Sequence, residues 1–214
     1  MSGAMDEMRH DLLLAHAAGR LPEPLALAVA THVALNRGAR SQLLAYEALG
    51  GAFLEELDDV PPAPGSLEAV LARLDAPAPP APVLHGLDQG VPAVLARHLP
   101  APLDELPWVW RGPLSEYPLL TDIPGYDTRF FRLKAGWPVP KHTHEGTELT
   151  VVIRGAYRDN TGSYRRGDLA LADASVDHRP WAERGEDCYC LAVTDAGRRL
   201  TDPILRLLNG VIRV

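Results

Sequence analysis

The sequence of 214 residues predicts two domains, a small all-α module followed by an all-β domain of the jelly-roll β-barrel kind. Residues 1–60 are rich in alanine and leucine at helical spacing. Seven prolines fall within residues 61–82 and prevent a continuous helix or central strand there. Later residues form short β-branched and aromatic runs separated by glycine and proline, as in sandwiches and barrels. We therefore assign residues 1–60 to the helical domain, 61–82 to a linker and 83–214 to the barrel.

Three short helices are predicted in the first domain, over residues 11–18, 25–35 and about 41–57. Gly19 should end the first helix, because glycine readily adopts the left-handed conformation after a helix. Gly50 and Gly51 predict a kink in the third. A module of this size is marginally stable alone, so we expect a metal, a neighbouring domain or a partner to support it.

The Pro/Ala-rich linker contains one segment with a helical pattern, Ser66 to Leu74, for which Ser66 is the expected N-cap. Its four large apolar residues share one face. A further short helix is predicted between Pro92 and Leu99. The strands predicted after it are Trp108–Trp110, Thr128–Leu133, Glu148–Ile153, Leu169–Leu171, Cys188–Val193 and Gly210–Val214.

The formal net charge of −7 is distributed unevenly along the chain. Residues 1–82 contain 11 acidic and 5 basic side chains, a net charge of −6, and residues 83–214 have a net charge of −1. Direct contact of the first part with nucleic acid is disfavoured, because phosphates are bound by cations. A basic protein partner is favoured instead.

Three further features of the sequence indicate the cellular compartment of the protein. No apolar run approaches the length of a membrane span. The N-terminus has no apolar signal core, and the chain has only two cysteines. We therefore expect a cytoplasmic protein. Cys188 and Cys190 lie on one predicted strand, where their spacing is poor for a disulfide, and their apolar neighbours favour two small core residues.

The segment from Gly136 to Gly155 carries the strongest chemical signal. His142 and His144 are two residues apart, so on a strand their imidazoles point to the same face. Glu148 could add a carboxylate, and His178 follows a later predicted strand. Three imidazoles and a carboxylate are suitable ligands for a divalent transition ion.

These positions resemble the cupin superfamily. Its first motif, G-x5-H-x-H-x3-E-x6-G, is matched at every specified position, and its second, G-x5-P-x-G-x2-H-x3-N, at Gly167 and His178. Asp173, Ser175 and Ala182 stand at the remaining positions of the second motif. The resemblance implies a metal site formed by His142, His144, Glu148 and His178. Zinc is the expected ion, with iron, manganese or nickel as alternatives.

The order of acidic helices, linker and single cupin resembles the ChrR-like anti-sigma factors nearly end to end. The strings that match are Ala17-Ala18-Gly19, Val29-Ala30-Thr31-His32, Glu148 to Ala156, Glu183 to Ala192 and Thr194-Asp195-Ala196. The resemblance implies that the N-terminal helices bind and inhibit an extracytoplasmic-function (ECF) sigma factor. It also implies that the cupin controls release under oxidative stress from singlet oxygen or peroxides.

One departure from that family concerns its N-terminal zinc site, which uses an H-x3-C-x2-C segment and a further histidine. His32 stands at the histidine of the segment, but Asn36 and Ala39 replace the cysteines and Glu7 stands at the other ligand position. A structural zinc site needs four ligands. His32 is therefore expected to be a helix residue without a ligand role.

Two alternative functions stay open. A metal-dependent cupin dioxygenase or related oxidoreductase would use the same ligands to activate oxygen or a small molecule. A metal-stabilised cupin could instead bind a protein other than a sigma factor, a hypothesis that the missing cysteines leave open.

Overall fold

A computed structural model describes residues 2–74, 77–78, 81–196 and 198–200. The predicted strand Gly210–Val214 lies outside these residues. Five helices are formed in the described part, namely α1 (Ser2–Ala17), α2 (Glu23–Leu35), α3 (Arg37–Glu55), α4 (Ser66–Leu74) and α5 (Ala93–Ala96). Among the described residues, no helix combines the length and the apolar character that crossing a membrane requires.

Two of the helix predictions were inaccurate. Helix α1 begins at Ser2 rather than Asp11, because Met5 and Met8 pack against the core and make the first turns part of an amphipathic helix. Helix α3 begins at Arg37, where the Asn36 side chain accepts a hydrogen bond from the Ala39 amide at 3.0 Å. The helix assignment is continuous through Gly50 and Gly51.

Eleven strands are assigned among the described residues. They are β1 (Val109–Arg111), β2 (Leu114–Leu119), β3 (Asp127–Leu133), β4 (His142–His144), β5 (Glu148–Arg154), β6 (Ala156–Arg158), β7 (Ser163–Arg165), β8 (Leu169–Ala172), β9 (Trp181–Ala182), β10 (Cys188–Thr194) and β11 (Arg198–Leu200). Strand β2 was not predicted, because Glu116 and Pro118 interrupt its apolar pattern.

The strands form a six-stranded sheet in the order β1-β2-β3-β10-β5-β8, with a three-stranded sheet β7-β6-β9 and the pair β11-β4. Strand β10 lies between β3 and β5 and is antiparallel to both. The β5–β6 connection passes close to this strand. At Gly155, φ is +72° and an added Cβ would lie 2.6 Å from the Asp187 carbonyl oxygen, so the turn requires glycine.

The central strand β10 of the six-stranded sheet is buried on both faces. Tyr189, Leu191 and Val193 of β10 contribute to a core shared with the helices, whereas Cys188 and Cys190 belong to a second core. The shared core also contains Leu13 of α1, Val29 of α2 and Leu43 of α3. The helical module therefore packs directly on the outer face of the barrel sheet.

Candidate metal centre

Three buried histidines converge in the β domain. The Nε2 atoms of His142 and His144 each lie 3.1 Å from Nε2 of His178. All three residues are at most 6% exposed. Among the described residues, they form the one group of three or more potential ligands whose ligand atoms lie within 4.8 Å of one another.

Strand pairing brings the histidines together. His142 and His144 are the two ends of β4, so their side chains lie on one face of the strand. His178 joins them through an antiparallel bridge in which the backbones of His142 and His178 exchange two hydrogen bonds of 3.0 Å. The hydroxyl of Thr143, on the opposite face of β4, donates to the Val176 carbonyl at 2.9 Å and anchors the loop before His178.

Two of the three rings have their tautomer set by an acceptor on the far side. Nδ1 of His142 lies 2.8 Å from the Pro140 carbonyl oxygen, and Nδ1 of His178 lies 2.7 Å from Oδ2 of Asp159. Since both partners are acceptors, each Nδ1 must carry the proton and donate it. The Nε2 lone pairs of both rings therefore point into the centre of the cluster, as metal coordination requires.

Asp159 is a functional residue that the sequence analysis did not identify. Its side chain is 1% exposed and also accepts hydrogen bonds from the backbone and hydroxyl of Thr161. Burial by itself would raise the pKa of Asp159, but the hydrogen bonds from His178 and Thr161 lower it below its ordinary value. The Asp-Asn-Thr-Gly string at 159–162 indicates a turn, but nothing in it indicates contact with a histidine 19 residues away.

Glu148 lies beside the cluster rather than within it. Its Oε2 atom is 3.8 Å from Nδ1 of His144, and Oε1 accepts a hydrogen bond from the Thr150 hydroxyl at 3.1 Å. The residue is buried, at 7% exposure. The Glu148 carboxylate is thus next to the three predicted histidine ligands, and the compact group of ligand atoms consists of these histidines alone.

The donor set fits a divalent transition ion. Two nitrogens bound to one ion at about 2.0–2.1 Å are themselves about 2.9–3.4 Å apart for bond angles between 90° and 109°. The observed Nε2 separations of 3.1 Å lie inside that interval. Converging lone pairs at such distances repel each other unless a cation or a shared proton lies between them. Imidazole is a suitable ligand for zinc, copper, iron and nickel.

The two cysteines lie in the second core, near this cluster in the fold but not part of it. Both are free and buried, and their sulfur atoms are 3.5 Å apart. Hydrogen bonding to Cys188 and burial together raise the pKa of the Cys190 thiol well above its ordinary value. A thiol in this state is a poor nucleophile, consistent with the predicted core role.

The anti-sigma-E factor ChrR of Cereibacter sphaeroides is 38% identical over 204 residues, which cover 95% of each chain. The chain belongs to the ChrR family. Residues 99–196 match the family described as the ChrR Cupin-like domain. The crystal structure of Rhodobacter sphaeroides SigE in complex with the anti-sigma ChrR matches with a TM-score of 0.75 and 38% identity, covering 86% of this chain and 96% of that one. An RmlC-like cupin from Ralstonia eutropha is a weaker match, with a TM-score of 0.42 and 18% identity.

The β domain of this ChrR-family protein has the predicted cupin fold, and the departures in its second motif have local explanations. Asp173 and Ser175 form a side-chain-capped turn, in which Oδ1 of Asp173 accepts hydrogen bonds from the backbone and hydroxyl of Ser175. Ala182 is fully buried in β9 opposite Tyr157. The turn that leads to His178 is therefore stabilised without the proline and glycine of the motif.

Proposed function

We propose that the protein is an anti-sigma factor that binds and inhibits an ECF-type sigma factor through its N-terminal helices. The observation that carries the proposal is the match over 86% of the chain to a ChrR structure solved as a complex with SigE. The proposed division is a helical anti-sigma domain over residues 1–60, a linker over 61–82 and the cupin domain over 83–214. Cytoplasmic location follows from this function, because sigma factors act on RNA polymerase.

Exposed apolar side chains on α3, α4 and the segment between them support this proposal. We call these residues together the α3–α4 surface. Their side chains are between 50% and 86% exposed, which is unusual for so many large apolar residues on one module. They are Leu44, Leu49, Phe53, Leu54, Leu57, Val60, Leu67, Val70, Leu71 and Leu74. A partner that covers these residues would bury the apolar area that the isolated chain leaves in water.

Charge also favours a sigma factor. Glu55, Glu56, Asp58 and Asp59 lie beside the apolar residues, and residues 1–82 have a net charge of −6. A protein that binds DNA presents basic surfaces to phosphates. An acidic module can attract such surfaces and occupy them, which excludes promoter DNA.

We further propose that His142, His144, His178 and Glu148 hold a divalent ion, with zinc as the first candidate. When bound, the ion would replace the repulsion among the inward lone pairs with coordination and so hold β4 to the loop before His178. Glu148, with Oε2 at 3.8 Å from Nδ1 of His144, would supply a carboxylate oxygen to the set. Control of sigma release under oxidative stress, through singlet oxygen or peroxide, is the role we assign to this domain.

Co-expression of the full chain with ECF-type sigma factors of its own organism tests the sigma proposal. The double variant Phe53→Asp/Leu67→Asp places two charges in the α3–α4 surface and should abolish co-purification. Leu87→Asp is the matched control, since Leu87 is an exposed leucine outside that surface, at 47% exposure. If the double variant co-purifies as well as the Leu87 variant, the α3–α4 surface is not the binding site.

A metal-dependent oxidoreductase remains the second candidate, because three clustered imidazoles can also hold an oxygen-activating ion. Oxygen consumption by the iron-loaded protein with β-diketone or thiol substrates, absent in His144→Ala, would support it. Sigma binding with no turnover of these substrates would favour the anti-sigma proposal.

A further inference from the structure

The turn that leads into β8 is the point where the helical module is attached to the barrel. Nδ1 of His32 in α2 lies 2.7 Å from the Gly167 carbonyl oxygen, and Nη2 of Arg9 in α1 donates to the Leu169 carbonyl at 3.1 Å. A longer contact of 3.5 Å joins Nδ2 of Asn36 to the same Gly167 carbonyl. Strand β8 is an edge of the six-stranded sheet. Side chains from the helices therefore satisfy carbonyls at this edge.

The backbone of this turn also approaches the end of α2 very closely. Gly167 has a φ of +86°, and an added Cβ would lie 2.9 Å from the carbonyl oxygen of Leu35, the last residue of α2. The end of the helix and the turn can approach this closely because position 167 has no side chain. Apolar packing continues the contact, since Val29 of α2 and Val151 of β5 are fully buried in one core.

The residues at the family's N-terminal zinc positions do not fit a zinc ion here. Nδ1 of His32 contacts the Gly167 carbonyl, so this ring could offer at most Nε2, and the Asn36 side-chain oxygen caps α3. Ala39 has no ligand atom, and Glu7 is exposed to solvent. Within the described ranges, no group of three potential ligands includes any of these four residues. The module is therefore expected to obtain its support elsewhere, since a module of this size is only marginally stable alone.

We propose that the helical module is metal-free and is held folded by docking on the β8 turn, with the His32–Gly167 hydrogen bond as the central polar contact. The barrel takes the structural role that zinc has in the family's N-terminal site. This proposal concerns what stabilises the fold of the helical module and does not depend on sigma binding, so the two proposals can fail separately.

Metal content distinguishes stabilisation by docking on the barrel from stabilisation by a zinc site within the helical module. Full-length wild type, His32→Ala and His16→Ala are purified with zinc and analysed by elemental mass spectrometry. His16 is the matched control, as a second histidine of the module with no described hydrogen bond from its ring to the barrel. All three proteins should hold the same zinc per chain. A loss of zinc in the His32 variant that the His16 variant does not share would overturn the proposal.

Hydrogen–deuterium exchange of the α2 amides in the same proteins tests the docking. Removal of a buried hydrogen bond should speed exchange in His32→Ala by about tenfold. His32→Asn keeps a side-chain N–H near the position of Nδ1 and should exchange within about threefold of wild type. Exchange in His32→Ala no faster than in wild type would show that the contact does not hold the module.

A glycine pair tests the close approach independently of His32. Gly167→Ala and Gly125→Ala both place a side chain at a left-handed position, with φ values of +86° and +83°. An added Cβ at Gly125 has no atom within 4 Å, whereas at Gly167 it meets Leu35. Exchange of α2 should accelerate more in the Gly167 variant than in the Gly125 variant, because only the former adds a clash with α2 to the left-handed strain. Equal acceleration in both would refute docking at this turn, and if Gly167→Ala does not fold, the His32 variants decide.

Discussion

At the scale of single residues, the buried pair of Asp159 and His178 shows how a carboxylate can prepare a candidate metal ligand. Asp159 fixes the proton on Nδ1 of His178 and so leaves Nε2 as an acceptor among the other two histidines. Partners of this kind also restrict the rotation of the ring. The structure therefore assigns Asp159 a positioning role in a site whose ligands lie in other segments.

Replacement of this carboxylate should weaken metal binding without removing a ligand. We expect Asp159→Asn to lower zinc affinity by about 10–100-fold, because the amide can present a donor to Nδ1 and disturb the tautomer. Competition with a chromogenic zinc chelator measures the change. Asp122→Asn, at an exposed aspartate between β2 and β3, is the control and should bind zinc as wild type does. Equal affinities for the two variants would argue against the positioning role.

His32 gives the docking contact a pH dependence. Burial lowers the pKa of His32 below its ordinary value of 6.5, and Arg9 acts in the same direction, while the Gly167 carbonyl and Asp168 act against them. The unfolded chain therefore binds a proton at His32 more readily than the folded chain does. Its contribution to stability is present above pH 6.5 and is lost as the pH falls towards the lowered pKa.

Thermal unfolding of wild type and His32→Asn at about pH 7.5 and about pH 5.5 tests this sign. Asparagine does not titrate, so any stability advantage of wild type should shrink at the lower pH. Other titrating groups, including His16, are common to both proteins and cancel in the comparison. A difference in melting temperature that is the same at both pH values would contradict the expected linkage.

At the scale of elements, α3 continues through two glycines that add nothing to its packing. A Cβ added at Gly50 or Gly51 would have no atom within 4 Å outside the local helix backbone. Helix propensity alone therefore decides the effect of a substitution at either position.

Alanine at these positions should stabilise the helix. We expect Gly50→Ala and Gly51→Ala each to raise the free energy of unfolding by about 0.5–1 kcal/mol. Urea unfolding followed by circular dichroism at the helical band measures the change. Gly125→Ala, at a left-handed position, should instead destabilise the protein by about 1–2 kcal/mol. No gain at either helical glycine would mean that the last turns of α3 unfold separately from the rest.

The alternation of side chains along β10 separates the two cores. Odd-numbered residues of this strand face the helices, and even-numbered residues, including both cysteines, face the barrel interior. Glu148 of β5 shares its face with Val152 of the barrel-interior core. The same period of two thus directs the carboxylate towards the histidines and the neighbouring apolar side chains towards the helices.

At the scale of the whole molecule, the charge of −6 in residues 1–82 predicts a salt-sensitive complex with the sigma factor proposed above. Raising sodium chloride from about 0.1 M to about 0.5 M should weaken binding, because exposed charges are screened over a shorter distance. Titration calorimetry at several salt concentrations gives the dependence of the dissociation constant on salt. This dependence should be weaker in Asp58→Asn/Asp59→Asn and unchanged in Leu87→Asp. A dissociation constant that does not change with salt would mean that apolar contact alone drives the association.

The predicted metal ligands illustrate how much of the site the sequence could specify. The spacing of His142 and His144 is a local property, since a strand places alternate residues on one face. The addition of His178 came from its match to a known motif, and the structure brings all three imidazoles together. Asp159 could not be found in this way, because its contact with His178 depends on how the β6–β7 turn folds over the barrel.

What the sequence by itself determined were the features that depend on period, composition and spacing. These are the Ala/Leu-rich helices, the short strands, the acidic N-terminal module and the histidine pair. Tertiary structure alone decided that the helices pack on the barrel sheet, that His32 reaches the Gly167 carbonyl and that Asp159 orients His178. These two contacts join residues that are 135 and 19 positions apart. A local sequence pattern does not predict such contacts, because they form when buried donors and acceptors must find partners in the folded chain.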